Sequence, residues 1–136
     1  MRQFLEPVQL FNAKAATGHS VALHVADYHE LALMISAAVN SDLTLKVKGS
    51  YAKEQPDFTS AQTVANHWDW VEMFDVNDST LRLTGDTGLV YTADTVANNT
   101  RNFSINQAHP LRWICLQVSA LSAGTVTATI SGCTKS

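Results

Sequence analysis

The chain has 136 residues and a mass of 14.8 kDa, which is the size of one domain with a single hydrophobic core. Charged residues make up only 15% of the sequence and the net charge is −3, which excludes a basic patch that neutralises nucleic-acid phosphates. The longest apolar stretch, Leu31–Val39, has nine residues, whereas a membrane span needs about 20. Neither nucleic acid nor a membrane is therefore expected as a partner.

The N-terminal segment, residues 1–20, is apolar but has no clear place in the strand pattern that follows. It carries four large apolar side chains, Phe4, Leu5, Leu10 and Phe11. Such side chains are costly on a chain terminus unless something buries them. Two arrangements would do so: an extended arm that docks on a neighbouring subunit, or a first strand of the chain's own domain. Residues 21–136 are expected to form that single domain.

Alternation of apolar and polar residues with period two dominates the rest of the chain, and this pattern is typical of strands with one buried face. In chain order the alternating runs are Val21–Val25, Leu43–Lys48, Val71–Val76, Leu81–Leu83, Leu89–Tyr91, Phe103–Ile105, Trp113–Val118 and Thr125–Ser131. Leu31–Val39 fits both helical and strand spacing. The short polar link Asn40–Asp42 favours a strand that forms a hairpin with the next one, and the turn residues Ser122–Gly124 predict a second hairpin. The sequence thus predicts an all-β antiparallel sandwich or jelly roll of about eight strands.

The longest predicted loop runs from Gly49 to His67 and contains Pro56. Loops of this length usually carry contacts. Trp68, Trp70 and Phe74 would share one face of a strand that follows the loop. That face either fills the core or forms an exposed aromatic platform for a sugar or a partner, and Trp68, at the loop boundary, is the best candidate for exposure.

Residues with catalytic or metal-binding chemistry are present, but their spacing does not assemble a site. The sequence has five histidines that do not combine into a metal-ligand pattern: His19, His24, His29, His67 and His109. The first three lie five residues apart, which puts neighbours on opposite faces of a strand, and His67 with the nearby Asp69 supplies only two ligands. Cys115 lies between apolar residues and has no adjacent base that would make it a nucleophile. Four carboxylates near the tryptophans do not form the facing pair of a glycosidase: Asp69, Glu72, Asp75 and Asp78. We expect no catalytic residue, no metal and no cofactor.

The order of features along the chain resembles that of small structural proteins from tailed bacteriophages. The matching segments are Leu43–Ser50 (LTLKVKGS), Trp68–Val71 (WDWV), Gly85–Gly88 (GDTG) and Leu111–Gly132 (LRWICLQVSALSAGTVTATISG). They are spread over most of the chain beyond residue 20. The resemblance implies a virion component of the head-decoration, connector or tail kind, built on a β-sandwich and assembled in many copies.

The function expected from this resemblance is that of a non-enzymatic capsid decoration protein. It would be synthesised in the host cytoplasm, reside in the virion, and contact the major capsid protein or other virion proteins as well as its own copies in a homo-oligomer. The residues expected at partner contacts are Phe4, Leu5, Leu10, Phe11 and Trp68. The alternative is a carbohydrate- or receptor-binding module of a head or tail fibre that uses Trp68 and the Gly49–His67 loop, and an enzyme is a third interpretation.

Overall fold

The computed structural model describes residues 3–77, 82–92, 99–105 and 111–134 of the chain. They form two antiparallel sheets packed as a sandwich, which confirms the predicted all-β fold, although with twelve strands rather than eight. The strands are β1 (Phe4–Lys14), β2 (Gly18–His19), β3 (Leu23–His24), β4 (Glu30–Ala37), β5 (Asp42–Ser50), β6 (Asp69–Trp70), β7 (Met73–Asp75), β8 (Arg82–Leu83), β9 (Leu89–Tyr91), β10 (Asn99–Ile105), β11 (Trp113–Ala123) and β12 (Val126–Cys133). One short 3₁₀ turn spans Val64–Asn66, and no helix in the described ranges is long and apolar enough to cross a membrane.

The first sheet, called sheet A, has the order β1-β12-β4-β10-β7-β8, and the second, sheet B, has the order β2-β11-β5-β6. In sheet B, β3 also pairs with β11, and β9 also pairs with β5. Four of the twelve strands, β2, β3, β6 and β8, have only two residues. Of the strands that the alternating runs miss, β2 and β6 have too few residues to show alternation, and the pattern of β1 is interrupted by Pro7 and by register shifts against β12.

The segment that fitted both helical and strand spacing is confirmed as a strand. It forms β4, which lies between β12 and β10 at the centre of sheet A. Leu31, Leu33 and Ile35 point inward and are buried, whereas Ala32 and Met34 point outward and are exposed. The backbone of this segment pairs with β12 along one edge and with β10 along the other, and this tertiary pairing overrides the helical spacing of its apolar residues.

Both predicted hairpins are wrong, because each turn carries the chain from one sheet to the other. The Asn40–Asp42 link joins β4 of sheet A to β5 of sheet B, and the Ser122–Gly124 link joins β11 of sheet B to β12 of sheet A. The two links pack together: the Ser41 hydroxyl donates to Ala38 O at 2.6 Å and accepts from Thr125 N–H at 3.3 Å. Gly124, at φ +85°, lies so close to Ser41 that a Cβ would collide with it. Alternation identifies a strand with one buried face, but it does not identify the strand's partner.

The N-terminal segment forms the first strand of the chain's own sandwich. β1 pairs with β12 from the Phe4–Cys133 pair to the Lys14–Val126 pair. Phe11 is buried in the core between the sheets. The hypothesis that Phe11 is buried by another subunit is therefore corrected, since β12 and the core supply that burial within one chain.

The outer edge of β1 is poorly suited to pairing with a strand of another molecule. The strand contains Pro7, three register shifts against β12, and a left-handed residue, Ala13, at φ 49°. Proline and bulges are the devices by which natural edge strands avoid edge-to-edge association. These features protect the outer edge of β1 from pairing with a strand of another molecule.

The run from Trp68 to Val76 is not one strand, so the expectation that Trp68, Trp70 and Phe74 share a face is also wrong. Trp70 ends β6 in sheet B, and Phe74 lies in β7 of sheet A. The chain crosses between the sheets at Val71 and Glu72. Leu81 of the predicted Leu81–Leu83 strand lies outside the described residues, and Arg82 and Leu83 form β8.

Candidate functional site

The outer face of sheet B is covered by residues 51–67, which we call the covering loop. The loop leaves β5 at Ser50 and returns where the Ser50 hydroxyl donates to His67 O at 2.5 Å. His67 has a left-handed φ of 61°. Phe58 of the loop packs beneath it with Trp68 and Cys115 into a second hydrophobic cluster, separate from the main core and bordered by Ala22, Trp70 and Trp113. Trp68 is buried in this cluster, so the expectation that it presents an exposed platform is corrected.

Lys48 lies at the centre of this cluster and is only 4% exposed. Its ammonium Nζ donates to Phe58 O at 2.7 Å and contacts His19 Nε2 at 3.0 Å. It also lies 4.1 Å from the centroid of the Trp68 ring and 5.1 Å from that of Trp70, within the range of cation–π attraction. Among the described residues, no carboxylate forms an ion pair with it. A carbonyl, an imidazole and two aromatic faces therefore take the place of a counter-ion.

Alternation along Leu43–Lys48 places Lys46 and Lys48 on the polar face of this strand and predicts that both are solvated. The burial of Lys48 corrects that prediction. Both side chains do point away from the core. The covering loop, which begins directly after β5, folds back over Lys48, so the burial of Lys48 results from the path of this loop and not from the pattern of the strand. No pattern within the strand could have shown this.

The environment of the cluster shifts the pKa values of three side chains. Burial lowers the pKa of the Lys48 ammonium below its ordinary value. Burial, followed by the positive charge of Lys48, lowers the pKa of His19. His19 is thereby held neutral, so that Nε2 can accept the hydrogen bond from Lys48. Burial raises the pKa of the Cys115 thiol, which donates to Ser20 O at 3.3 Å, and a thiol in this state is a poor nucleophile at neutral pH.

A depression of about 390 Å³ opens beside the cluster, between β2 and the first part of the covering loop. His19, Asp57 and Cys115 line it together with mainly small and apolar residues. Asp57 is anchored by Thr59, whose N–H and hydroxyl both donate to Asp57 Oδ1, and the hydroxyl hydrogen bond is the main reason that the pKa of Asp57 is lowered. The arrangement is a polar rim around an aromatic cluster.

The other residues considered for metal or acid–base chemistry are dispersed. No group of three or more His, Cys, Asp or Glu side chains in the described ranges could hold a metal ion. Carboxylates near the tryptophans have separate partners: Glu72 pairs with Arg82 at 2.7 Å, and Asp75 pairs with Arg101 at 2.6 Å. Asp69 accepts from Gln62. His24 stacks edge-on against Trp113, and His109 and Asp78 lie outside the described residues.

Within the described residues, no segment covers the outer face of sheet A. This face carries a three-by-three array of uncharged side chains, which we call the uncharged face. Each row takes one residue from β12, one from β4 and one from β10, in that order, and follows their cross-strand register. The three rows are Ser131, Ala32 and Ser104; Thr129, Met34 and Asn102; and Thr127, Ser36 and Thr100. The array covers about 20 Å by 14 Å, or ~300 Å², at ordinary strand spacing. Met34 at its centre is 51% exposed. None of the nine side chains of the array is charged, and the charged residues Glu30 and Arg82 lie at its margin.

A depression of about 660 Å³ continues the uncharged face at the end where β1 begins. Phe4, Leu5 and Leu31 contribute apolar surface to it, and Ala32, Ser104 and Ser131 are shared with the array. Phe4 is 72% exposed. Cys133 lies at the floor, where its thiol donates to Glu30 Oε2 at 3.2 Å. The uncharged face and this depression form one continuous surface.

The five residues predicted for partner contacts thus lie in three different environments. Phe4 and Leu5 lie on the surface beside the uncharged face, and Leu10 is partly buried against the core. Phe11 and Trp68 are buried within the chain. Sequence reasoning missed the uncharged face itself. The Thr and Ser alternation of β12 was a signal for it, but the matching contributions of β4 and β10 required knowledge of the strand order.

No protein-family model and no curated protein matches the sequence. In a comparison of folds, the chain is similar to the crystal structure of the SPBc2 prophage-derived protein YomS, with a TM-score of 0.66 and 13% sequence identity. The match covers 98% of this chain and 96% of that one. The two proteins therefore share the same sandwich fold over almost their whole lengths.

Proposed function

We propose that this protein is a non-enzymatic structural component of a bacteriophage particle. Its specific role in this proposal is that of a capsid decoration protein. The observation that carries the proposal is the fold shared, end to end, with a prophage-derived protein. The sequence resemblance to small virion proteins points the same way. In this role the chain contacts the major capsid protein and further copies of itself.

The surface that supports this role is the uncharged face together with the depression beside Phe4. Burying uncharged threonine, serine and alanine side chains avoids the desolvation penalty that charged groups carry. An area of ~300 Å² is well below the roughly 800 Å² per partner that a stable isolated complex buries. The surface therefore suits repeated weak contacts in an assembled shell better than a stable dimer in solution.

The alternative role in sugar or receptor binding depended on an exposed Trp68. Its ring is instead buried between Phe58, Cys115 and the Lys48 ammonium. That role has therefore lost its principal residue.

A negative charge at the centre of the uncharged face tests the proposed interface. Met34→Glu should leave the melting temperature almost unchanged, because Met34 is exposed. Binding to capsid shells assembled without this protein should weaken by about 30-fold or more, since burying one unpaired charge costs at least about 2 kcal/mol. Co-sedimentation of the purified chain with such shells measures the effect.

The matched control is Val64→Glu, which places the same charge on an exposed residue of the covering loop, on the opposite side of the sandwich. It should bind like the unaltered chain. Loss of binding with Val64→Glu and full binding with Met34→Glu would place the interface on sheet B and contradict the proposal.

A further inference from the structure

The covering loop has few attachments to the sandwich. Between Tyr51 and His67 it contributes one buried side chain, Phe58, and most of its other residues are partly or fully exposed. It contains no strand and only the single 3₁₀ turn at Val64–Asn66. Segments with few buried contacts open at lower free energy than the core strands. Opening of this loop therefore depends on a small number of interactions.

Lys48 provides one of these interactions and joins the loop to two strands. Lys48 is itself a residue of β5. Its Nζ contacts the loop through Phe58 O and β2 through His19 Nε2. The contact with His19 requires an imidazole lone pair, and an imidazolium has none. A protonated His19 would instead place a second positive charge 3.0 Å from the buried ammonium.

We propose that the covering loop is an acid-released cover: protonation of His19 breaks its hydrogen bond with Lys48, displaces the ammonium from Phe58 O, and exposes the aromatic cluster of Phe58, Trp68 and Trp70. The released surface is apolar and lies on sheet B, opposite the uncharged face. This inference is independent of the proposed function, because it rests only on contacts within the chain.

The groups that face the Lys48–His19 pair come from three elements. Lys46 on β5 adds positive charge, Cys115 on β11 is a protonated thiol at neutral pH, and Asp57 on the covering loop is a carboxylate. Asp57 favours the imidazolium form of His19 and so opposes release. Burial and the charge of Lys48 outweigh it, and the net pKa of His19 is lowered.

The lowered pKa of His19 determines how the opening of the loop depends on pH. The closed loop holds the pKa of His19 below its ordinary value, and the open loop restores the ordinary value of about 6.5. The closed form is therefore favoured above about pH 6.5. As the pH falls from that value towards the lowered pKa, the ratio of open to closed forms rises by about tenfold per pH unit.

Tryptophan fluorescence of the full chain reports the opening, because all three tryptophans belong to or border the cluster beneath the loop. Acrylamide is a neutral quencher whose access does not depend on its own ionisation. Its quenching constant should rise as the protein is taken from neutral pH to about pH 5, following a single protonation. An unchanged constant over this range would overturn the proposal.

Variants assign the effect to His19. His19→Gln keeps a side-chain oxygen that accepts from Lys48 and cannot titrate, so its quenching constant should stay low at acid pH. His24→Gln, which alters the imidazole stacked on Trp113, and His67→Gln, at the end of the loop, should retain the rise of the unaltered chain. The assignment to His19 would be refuted if the loop of His19→Gln opened at the same pH as that of the unaltered chain. It would also be refuted if either control variant lost the acid-dependent rise in quenching.

Two further measurements keep the inference testable if His19→Gln folds poorly. Lys48→Met removes the ammonium and keeps an apolar side chain, so the acid-dependent rise in quenching should be strongly reduced. Hydrogen exchange on the unaltered protein, corrected for the intrinsic effect of pH, should show loss of protection in residues 51–67 and full protection in β4. Equal loss in both segments would indicate global unfolding and contradict a released loop.

Discussion

Replacing Phe103 by alanine should lower the free energy of unfolding by about 3 to 5 kcal/mol, the usual cost of removing a large aromatic side chain from a core. Phe103 is fully buried on β10, between β4 and β7 of sheet A. The cavity would lie at the centre of the main core, where neighbouring strands are held on both sides and cannot collapse into it. Urea denaturation followed by circular dichroism measures the loss.

Asn102→Ala is the matched control, since Asn102 is the preceding residue of the same strand and points to the outer face. It should change the free energy of unfolding by less than about 0.5 kcal/mol. A shift of register by one residue would exchange these two effects. A large loss for Asn102→Ala with a small loss for Phe103→Ala would therefore contradict the register of β10.

Replacing Trp68 by alanine should also be costly, at about 3 to 5 kcal/mol. Trp68 fills the second cluster and covers the Lys48 ammonium. Its removal leaves a cavity and also deprives the buried charge of an aromatic face, which is worth about 0.5 to 2 kcal/mol. Combining Trp68→Ala with Lys48→Met in a double-mutant cycle separates the charge contribution from the packing contribution.

Tyr51→Ala provides the comparison for Trp68→Ala, because Tyr51 belongs to the covering loop and is exposed. Its loss of stability should be below about 0.5 kcal/mol. Equal, small losses for both variants would mean that the second cluster does not contribute to folding. In that case the burial of Lys48 would need another explanation.

The fold class could be predicted because the longer strands each bury one face. β5, β11 and β12 show the alternation over six residues or more, and β4 shows it once helical spacing is set aside. The pairing of strands could not be predicted from the same pattern. Turn residues at Ser122–Gly124 are compatible with a hairpin and with a crossing between sheets. The pairing of β11 with β5, and of β12 with β4, shows that the chain crosses between sheets here.

The candidate surfaces were harder to predict than the fold, for a related reason. The uncharged face combines residues of β12, β4 and β10, which are far apart in sequence. The Lys48–His19 contact joins residues 29 positions apart, and His19 belongs to a strand of only two residues. Sequence patterns describe faces of single strands, and both surfaces arise from how several strands and a loop come together.

Quantitative mass spectrometry of purified phage particles that encode this chain tests the proposed function most directly. The account predicts that the chain copurifies with the particles in many copies, at a fixed ratio to the major capsid protein, and that Met34→Glu lowers this ratio while Val64→Glu does not. Particles that lack the chain, although the infected cells contain it in folded form, would contradict a structural role in the virion.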